Sequence, residues 1–314
     1  MKPYSDKEPY LLAEIGINHQ GEKQTALAMI ESAASHGADG VKFQAFKADT
    51  LINEKRLPDD YAKLKAVELD YSWLPLLRSC AKSNDVDFIC TPFDLQALDT
   101  LIEIGADAIK IASGDITFDP LLRAAGRSGL PVILSTGASN MQDIHRALDI
   151  IDCADVTLLH CVSLYPTLAD EVNLHAIVYI GDRLNMRVGF SDHTIGIWAA
   201  TAAVALGACL IEKHFTLDHS LPGDDHAGAA EPDELARLKA NMMEVALARG
   251  NYQKLPTTRE KAKQAQMRRG LYHYDSLDDV SQNELISTEK VRFLRPENAT
   301  IRLLHDRDIK ITGE

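Results

Sequence analysis

No stretch of this 314-residue chain approaches the roughly 18 consecutive apolar residues that a membrane-spanning helix needs. The opening residues, Met1-Lys2-Pro3-Tyr4-Ser5-Asp6, also lack the apolar core of a signal peptide, so a cytoplasmic protein is expected. Cysteine is scarce. The five present, Cys80, Cys90, Cys153, Cys161 and Cys209, form no CxxC pair, and three of them sit in or beside apolar runs. They read as buried reduced thiols, which suits a reducing compartment. Positive charge is in deficit: 33 Lys and Arg against 46 Asp and Glu leave a net charge of −13. That balance argues against nucleic acid or an anionic membrane as partner. A small anionic substrate stays open, because a pocket needs only a few local lysines.

What is present is an ordinary globular composition, 46% hydrophobic and 25% charged. The length exceeds the roughly 250 residues of an α/β barrel by enough for a small appendage. Short apolar runs alternate with helical patterns from Tyr10 to about Arg249. The spacing predicts eight strands: Tyr10–Ile17, Gly40–Phe46, Asp87–Pro92, Ala108–Ser113, Pro131–Thr136, Val156–Val162, Arg187–Ser191 and Cys209–Phe215. Their near-continuous hydrophobicity is that of parallel strands covered on both faces. Helices are predicted over Lys23–His36, Leu95–Ile104, Asp119–Ser128, Gly196–Leu206 and Glu231–Arg249, with Gly37, Gly105, Gly129, Gly207 and Gly250 as stops. Repeated strand, helix and glycine give an α/β fold, a (β/α)8 TIM barrel over residues 1–250. A doubly wound sheet is disfavoured because no GxGxxG follows the first strand. Residues 251–270 read as a polar linker, and 271–314 as a unit too small to be comfortable alone.

Reactive residues recur at nearly every strand end: Glu14 and Asn18, Lys42 and Gln44, Thr91 and Asp94, Lys110 with Ser113 and Asp115, Ser135-Thr136, His160 with Ser163 and Tyr165, Ser191-Asp192-His193, and Glu212-Lys213-His214. In a parallel barrel these ends converge on one face, where barrel active sites lie. His193 and His214 end adjacent strands, and two neutral imidazoles suit Mn, Fe, Co, Ni or Zn better than Mg or Ca. An acid/base pair, or simple hydrogen bonding, is the competing reading. Asp192 and Glu212 are expected to point away from the mouth by strand alternation, and His226 is a possible third ligand or a loop histidine. Lys42 and Lys110, with the Ser113, Ser135 and Ser191 hydroxyls and glycine-adjacent N–H groups, suit a phosphate and a carboxylate together. Structural ion pairing is the alternative for the two lysines.

The stretches Ala13-Glu14-Ile15-Gly16-Ile17-Asn18-His19, Val41-Lys42-Phe43-Gln44, Thr91-Pro92-Phe93-Asp94, Lys110-Ile111-Ala112-Ser113-Gly114-Asp115, Phe190-Ser191-Asp192-His193-Thr194 and Ile211-Glu212-Lys213-His214-Phe215 resemble, in order, the sialic acid synthase family. That family includes legionaminic and pseudaminic acid synthases and spore coat polysaccharide synthase homologues. The resemblance implies a barrel followed by a small antifreeze-like (SAF) domain, here shortened, that closes the partner's site in a domain-swapped homodimer. It implies condensation of phosphoenolpyruvate with an N-acetylated amino-sugar aldehyde of the N-acetylmannosamine kind. It also implies a divalent metal at His193 and His214, manganese first, with magnesium or cobalt as alternatives. Lys110, Ser113, Ser135 and Ser191 would hold phosphoenolpyruvate, with Ser163 and Lys42 nearby. Sugar contacts would fall to Glu14, Gln44, Thr91, Asp115, Tyr165 and Asp225, with Glu14 or Asp115 as proton acceptor and Arg295 reaching a partner's sugar. The family often carries Glu where this chain has Asp115, and some members carry Asn where it has Ser163. Another phosphoenolpyruvate–sugar synthase, of the 3-deoxy-octulosonate phosphate type, and a non-catalytic sugar-binding homologue are the alternatives.

Overall fold

The computed structural model describes residues 1–153, 155–223, 225–273, 286–287, 291–295 and 311–312. Eight parallel strands, β1 (Tyr10–Gly16), β2 (Gly40–Ala45), β3 (Asp87–Pro92), β4 (Ala108–Ile111), β5 (Val132–Ser135), β6 (Val156–Cys161), β7 (Val188–Asp192) and β8 (Leu210–His214), close in sequence order into a barrel. Each of the eight predicted strands is present: β3 has the predicted bounds, β7 is shifted by one residue, and the other six are shorter by one or two residues.

Ten helices accompany the barrel: α1 (Lys23–Ser35), α2 (Ala48–Leu51), α3 (Pro58–Ala66), α4 (Leu74–Ser83), α5 (Leu95–Ile104), α6 (Asp119–Arg127), α7 (Met141–Ile151), α8 (His175–Leu184), α9 (Trp198–Ala205) and α10 (Pro232–Arg249). The helix ends follow local chemistry. Asp94 caps α5 by accepting the Ala97 N–H at 2.7 Å, and Gly105, at φ 68°, stops it in the left-handed region that a side chain resists. Asp94 therefore serves a helix start and not the mouth. The other expected stops, Gly37, Gly129, Gly207 and Gly250, also have positive φ.

Two layers of packing follow from strand alternation. One face of each strand meets the helices in the main core, with Leu11, Ala13, Val41, Phe43, Phe88 and Ile109 wholly buried. The other face fills the barrel, where Leu12, Ile89, Ala108, Ile133, Leu159 and Leu210 form an apolar plug. Tyr4 and Tyr10 extend this plug, and the Tyr4 hydroxyl lies 2.7 Å from Thr157 Oγ1. Two residues further along these strands the inward positions turn polar, with Glu14, Lys110 and Glu212 charged and Thr91 and Ser135 hydroxylic.

The chain divides into two compact units, Met1–Gly250 and Asn251–Glu314. The stretch read as a polar linker contains a helix, α11 (Thr258–Met267), started by a capping box in which Thr257 and Glu260 satisfy each other's backbone N–H. That signal was present in the sequence and outweighs the polar composition. Beyond α11, β9 (Gly270–His273) pairs antiparallel with β11 (Val291–Leu294), and β10 (Ile286–Ser287) pairs parallel with β12 (Ile311–Thr312). The shortened antifreeze-like segment expected from the resemblance falls largely outside the described residues. Among the described residues no helix is long and apolar enough to cross a membrane.

The plug leaves no room at Gly189 on β7. A Cβ there would stand 2.3 Å from the Leu210 carbonyl oxygen and 2.7 Å from Leu159 Cδ2. Gly189→Ala is expected to cost about 1–3 kcal/mol through overpacking, read as a lower urea midpoint at unchanged m-value. An unchanged midpoint would show that the barrel interior yields at this point.

Candidate active site

Strand register brings the reactive residues together. Glu14 on β1 is the Cα partner of Lys42 on β2 and of His214 on β8, while Ser191 on β7 faces Glu212 on β8 and Gln44 on β2 faces Thr91 on β3. All point into a cavity of about 250 Å3 at the strand C-termini, which also receives Lys110, Ser113, Ser135 and Ser163.

Its floor is a layer of alternating charge. Lys42 Nζ stands 2.6 Å from Glu14 Oε2 and 3.7 Å from Glu212 Oε2, and Lys110 Nζ stands 3.5 Å from Glu212 Oε1. Each of these four side chains is at most 6% exposed. Gln44 Nε2 donates to Glu14 Oε1 at 2.9 Å, Lys42 Nζ to Thr91 Oγ1 at 3.2 Å, and Ser191 Oγ to Glu212 Oε1 at 2.9 Å. Burial alone would raise the Glu212 carboxyl, but Lys110, Lys42 and the Ser191 hydroxyl outweigh it and hold it down at about 2. Burial would likewise lower the Lys42 ammonium, yet Glu14 and Glu212 together raise it. Lys110 differs. Burial lowers it, Glu212 offsets only part of that, and neighbouring Lys42 adds repulsion. The two lysines thus meet the structural ion-pair reading, and Lys110 is the less compensated of them.

Glu212 was expected to point away from the mouth. It does not, because it precedes His214 by two residues and so shares its face of β8. The residue between them, Lys213, is the one that points outward. Its Nζ donates to the Thr194 carbonyl and lies 3.1 Å from Asp192 Oδ2, with both ion-pair side chains wholly buried. This pair joins the ends of β7 and β8 behind the two histidines. Asp192 does face away as expected.

Ser135 Oγ is buried without a hydrogen-bond partner, and so is Asp115 Oδ2. Burial raises the Asp115 carboxyl to about 6, against the opposing pull of Lys110. The Gly137 N–H, read above as a possible anion donor, instead donates to Ser113 Oγ at 2.9 Å. A Cβ at Gly137 would stand 2.2 Å from Ser163 Oγ and 2.9 Å from Cys161 Sγ, so a side chain there would have to displace the Ser163 hydroxyl. Several strand-end groups are structural. Asn18 Nδ2 donates to the Phe215 carbonyl, Thr136 Oγ1 to that of Leu159, and the His160 ring bonds the Val172 carbonyl at 2.8 Å. His226 is buried, with its nitrogens 2.9 Å from Gln20 Nε2 and 2.7 Å from Thr216 Oγ1, so it anchors its loop and is not a third ligand.

His193 and His214 face each other with ring centroids 5.9 Å apart, and Tyr165 packs on His193 at 4.2 Å. His193 Nδ1 donates to the Val162 carbonyl at 2.7 Å, which fixes the tautomer and leaves Nε2 as the acceptor nitrogen, 3.3 Å from Ser191 Oγ. Burial and the neighbouring His214 lower its pKa to about 4, so the ring is neutral. His214 Nδ1 is buried without a hydrogen-bond partner and lies 3.6 Å from Asp225 Oδ2. A neutral, oriented His193 imidazole facing the orphaned His214 Nδ1 fits a divalent transition metal. Among the described residues, no group of three or more His, Cys, Asp or Glu could hold one. Water or substrate oxygens would have to complete the coordination. Arg295 is exposed and belongs to the second unit.

A closed parallel barrel whose strand ends gather lysines, carboxylates, serines and facing imidazoles defines the class: a TIM-barrel enzyme with its active face at the strand C-termini. The chain belongs to the NeuB family, whose model matches residues 29–254, so the resemblance to sialic acid synthases holds. It is 38% identical over 306 residues to the N,N'-diacetyllegionaminic acid synthase of Legionella pneumophila, covering 91% of this chain and 85% of that one. It is 38% identical over 311 residues to the N,N'-diacetyllegionaminic acid synthase of Campylobacter jejuni, covering 93% of this chain and 92% of that one. Its fold matches the N-acetylneuraminic acid synthetase of Leptospira borgpetersenii, solved with citrate, at a TM-score of 0.76 and 37% identity, over 82% of this chain and 90% of that one.

The charge layer makes a specific demand. Glu212→Gln removes the anion nearest Lys110 and is expected to cost about 3–5 kcal/mol, as breaking a buried pair does. Lys110→Met in that background should recover part of the loss, with a coupling energy of at least about 1 kcal/mol in a double-mutant cycle. Additive losses in urea unfolding would mean that the two groups do not interact.

Proposed function

We propose that this enzyme condenses phosphoenolpyruvate with an N-acetylated amino-sugar aldehyde to give a nonulosonic acid and phosphate. The observation that carries the reading is the juxtaposition of a polar chamber, with less compensated Lys110 and orphaned Ser135 Oγ, and two facing imidazoles on the same cavity wall. Membership of a family whose relatives are named nonulosonic acid synthases supports it.

In this reading Lys110, Ser113, Ser135 and Ser191 hold the phosphate and carboxylate, with Lys42 and Ser163 beside them. The methylene carbon is thereby turned toward the aldehyde. Glu14, Gln44, Thr91, Asp115, Tyr165 and Asp225 contact the sugar. His193 and His214 would hold a divalent cation, manganese first, which when bound supplies a Lewis acid for the aldehyde oxygen. The methylene carbon bonds to the aldehyde carbon, and the aldehyde oxygen takes up a proton. Water adds to C2 of the pyruvyl fragment, giving one proton to Glu14 or Asp115; the C2–O bond to phosphate then breaks, the phosphate taking its electron pair and the C2 hydroxyl proton, which leaves the C2 ketone. Asp115, raised toward neutrality by burial, is suited to accept and return a proton near physiological pH. A head-to-tail homodimer, with Arg295 of one chain serving its partner's sugar, belongs to the same proposal. The second phosphate of an octulosonate-type acceptor would need another basic clamp, and among the described residues the lysines of the mouth are those already paired at its floor.

Phosphate release is expected to require both phosphoenolpyruvate and an amino-sugar aldehyde, with one phosphate per nonulosonic acid formed. Equal release without sugar, or turnover with pyruvate in place of phosphoenolpyruvate, would overturn the assignment. His193→Ala and His214→Ala should each weaken manganese binding by roughly 100-fold or more, consistent with loss of a direct ligand. Their circular dichroism should stay that of the parent, since both rings sit at the cavity wall. Unchanged manganese affinity in either variant, measured by calorimetry, would remove that histidine from the metal site.

A further inference from the structure

The mouth holds two chambers that share Tyr165, His193 and His214. The inner one carries the lysines and serines described above. The outer one, about 110 Å3, is walled by Pro166, Asp192, Ile195, Ala227 and Gly228, with Asp225 as its facing carboxylate. Asp192 is neutralised by Lys213 and accepts the Thr194 N–H at 2.9 Å, so Asp225 is the acid left facing the chamber. Among the described residues no lysine or arginine lines it. Ile195 is 64% exposed, a large apolar side chain presented to whatever enters.

We propose that the outer chamber receives the end of the acceptor remote from its aldehyde, and that it selects an uncharged amino sugar with a methyl-bearing terminus over a phosphorylated one. This rests on the synthase reading above. With the aldehyde end between the His193–His214 pair and Glu14, Gln44 and Thr91 of the inner chamber, the far end of the sugar reaches across the shared wall into the outer chamber. A phosphate there would bring negative charge toward Asp225 with no lysine or arginine among the described lining residues to receive it. A deoxy or acetyl methyl meets Ile195 and Pro166 instead, while Asp225 accepts from a hydroxyl or amide N–H. Ile195 and Ala227 are thus specificity-determining residues. Differences of one methyl-sized group in such a pocket change kcat/KM by roughly 10–200-fold.

The test is steady-state phosphate release by the full chain with manganese, phosphoenolpyruvate and three acceptors: N-acetylmannosamine, its 6-phosphate and a diacetamido-trideoxy hexose. Parent, Ile195→Ser, Ala227→Lys and Arg295→Ala are compared. In the parent, kcat/KM for the better uncharged sugar should exceed that for the phosphate ester by roughly tenfold or more, and Arg295→Ala should keep that order. Ala227→Lys should narrow the gap by improving the phosphorylated acceptor, and Ile195→Ser should erode the advantage of the trideoxy sugar. A parent that prefers the phosphate ester overturns the proposal while leaving the synthase reading intact. So does a ranking that neither Ile195→Ser nor Ala227→Lys moves. Silence with all three sugars would instead sink the synthase reading, and this proposal with it.

Discussion

The site depends on a buried layer of four charges, Glu14, Lys42, Glu212 and Lys110, laid across the inside of the barrel just above its apolar plug. Removing any one leaves an unpaired charge where water is scarce, so the layer holds together only as a set. Each member comes from a different strand, β1, β2, β8 and β4. Closure of the barrel in the right register is therefore a precondition for the charges to meet. Conversely, the layer fixes where Ser191 and Gln44 sit, because both are hydrogen-bonded to its carboxylates. The sites of charge and the sites of ligand recognition are one piece of structure.

Behind the histidines a second buried pair plays a comparable part. Lys213 and Asp192 join β7 and β8 on the helix side of the barrel, while His193 and His214 emerge at the same strand ends toward the mouth. Alternation along two neighbouring strands thus sends one ion pair outward and two imidazoles inward. The Val162 carbonyl then selects the His193 tautomer. Asp225, His214's acidic neighbour, hangs from a loop that His226 anchors to Thr216 and Gln20.

The eight strands were legible because parallel barrel strands are apolar on both faces and end in polar residues. Helices with a glycine stop were legible for the same local reason. The helices α2 to α4, α7 and α8 were not singled out, although Asn140 and Asp143 form a capping box at α7 that the sequence displays. Of the site, Lys42, Lys110, the serines and the two histidines could be named from strand-end positions alone. Glu212 could not until the two-residue period was applied from His214 instead of from its immediate neighbour. Which polar strand-end groups are structural was also hidden, because His160, Thr136 and Asn18 are settled by backbone carbonyls on distant segments.

The central claim is that this charge layer holds one cation, Lys110, in readiness for an anionic substrate. Calorimetric titration of phosphoenolpyruvate into the parent and into Lys110→Met, without sugar, tests it most directly. The account predicts a loss of affinity on the order of 100-fold or more in a variant that remains folded, as loss of a charge-assisted contact to phosphate or carboxylate implies. Equal affinity in a folded Lys110→Met protein would contradict it and place the substrate's negative charge elsewhere.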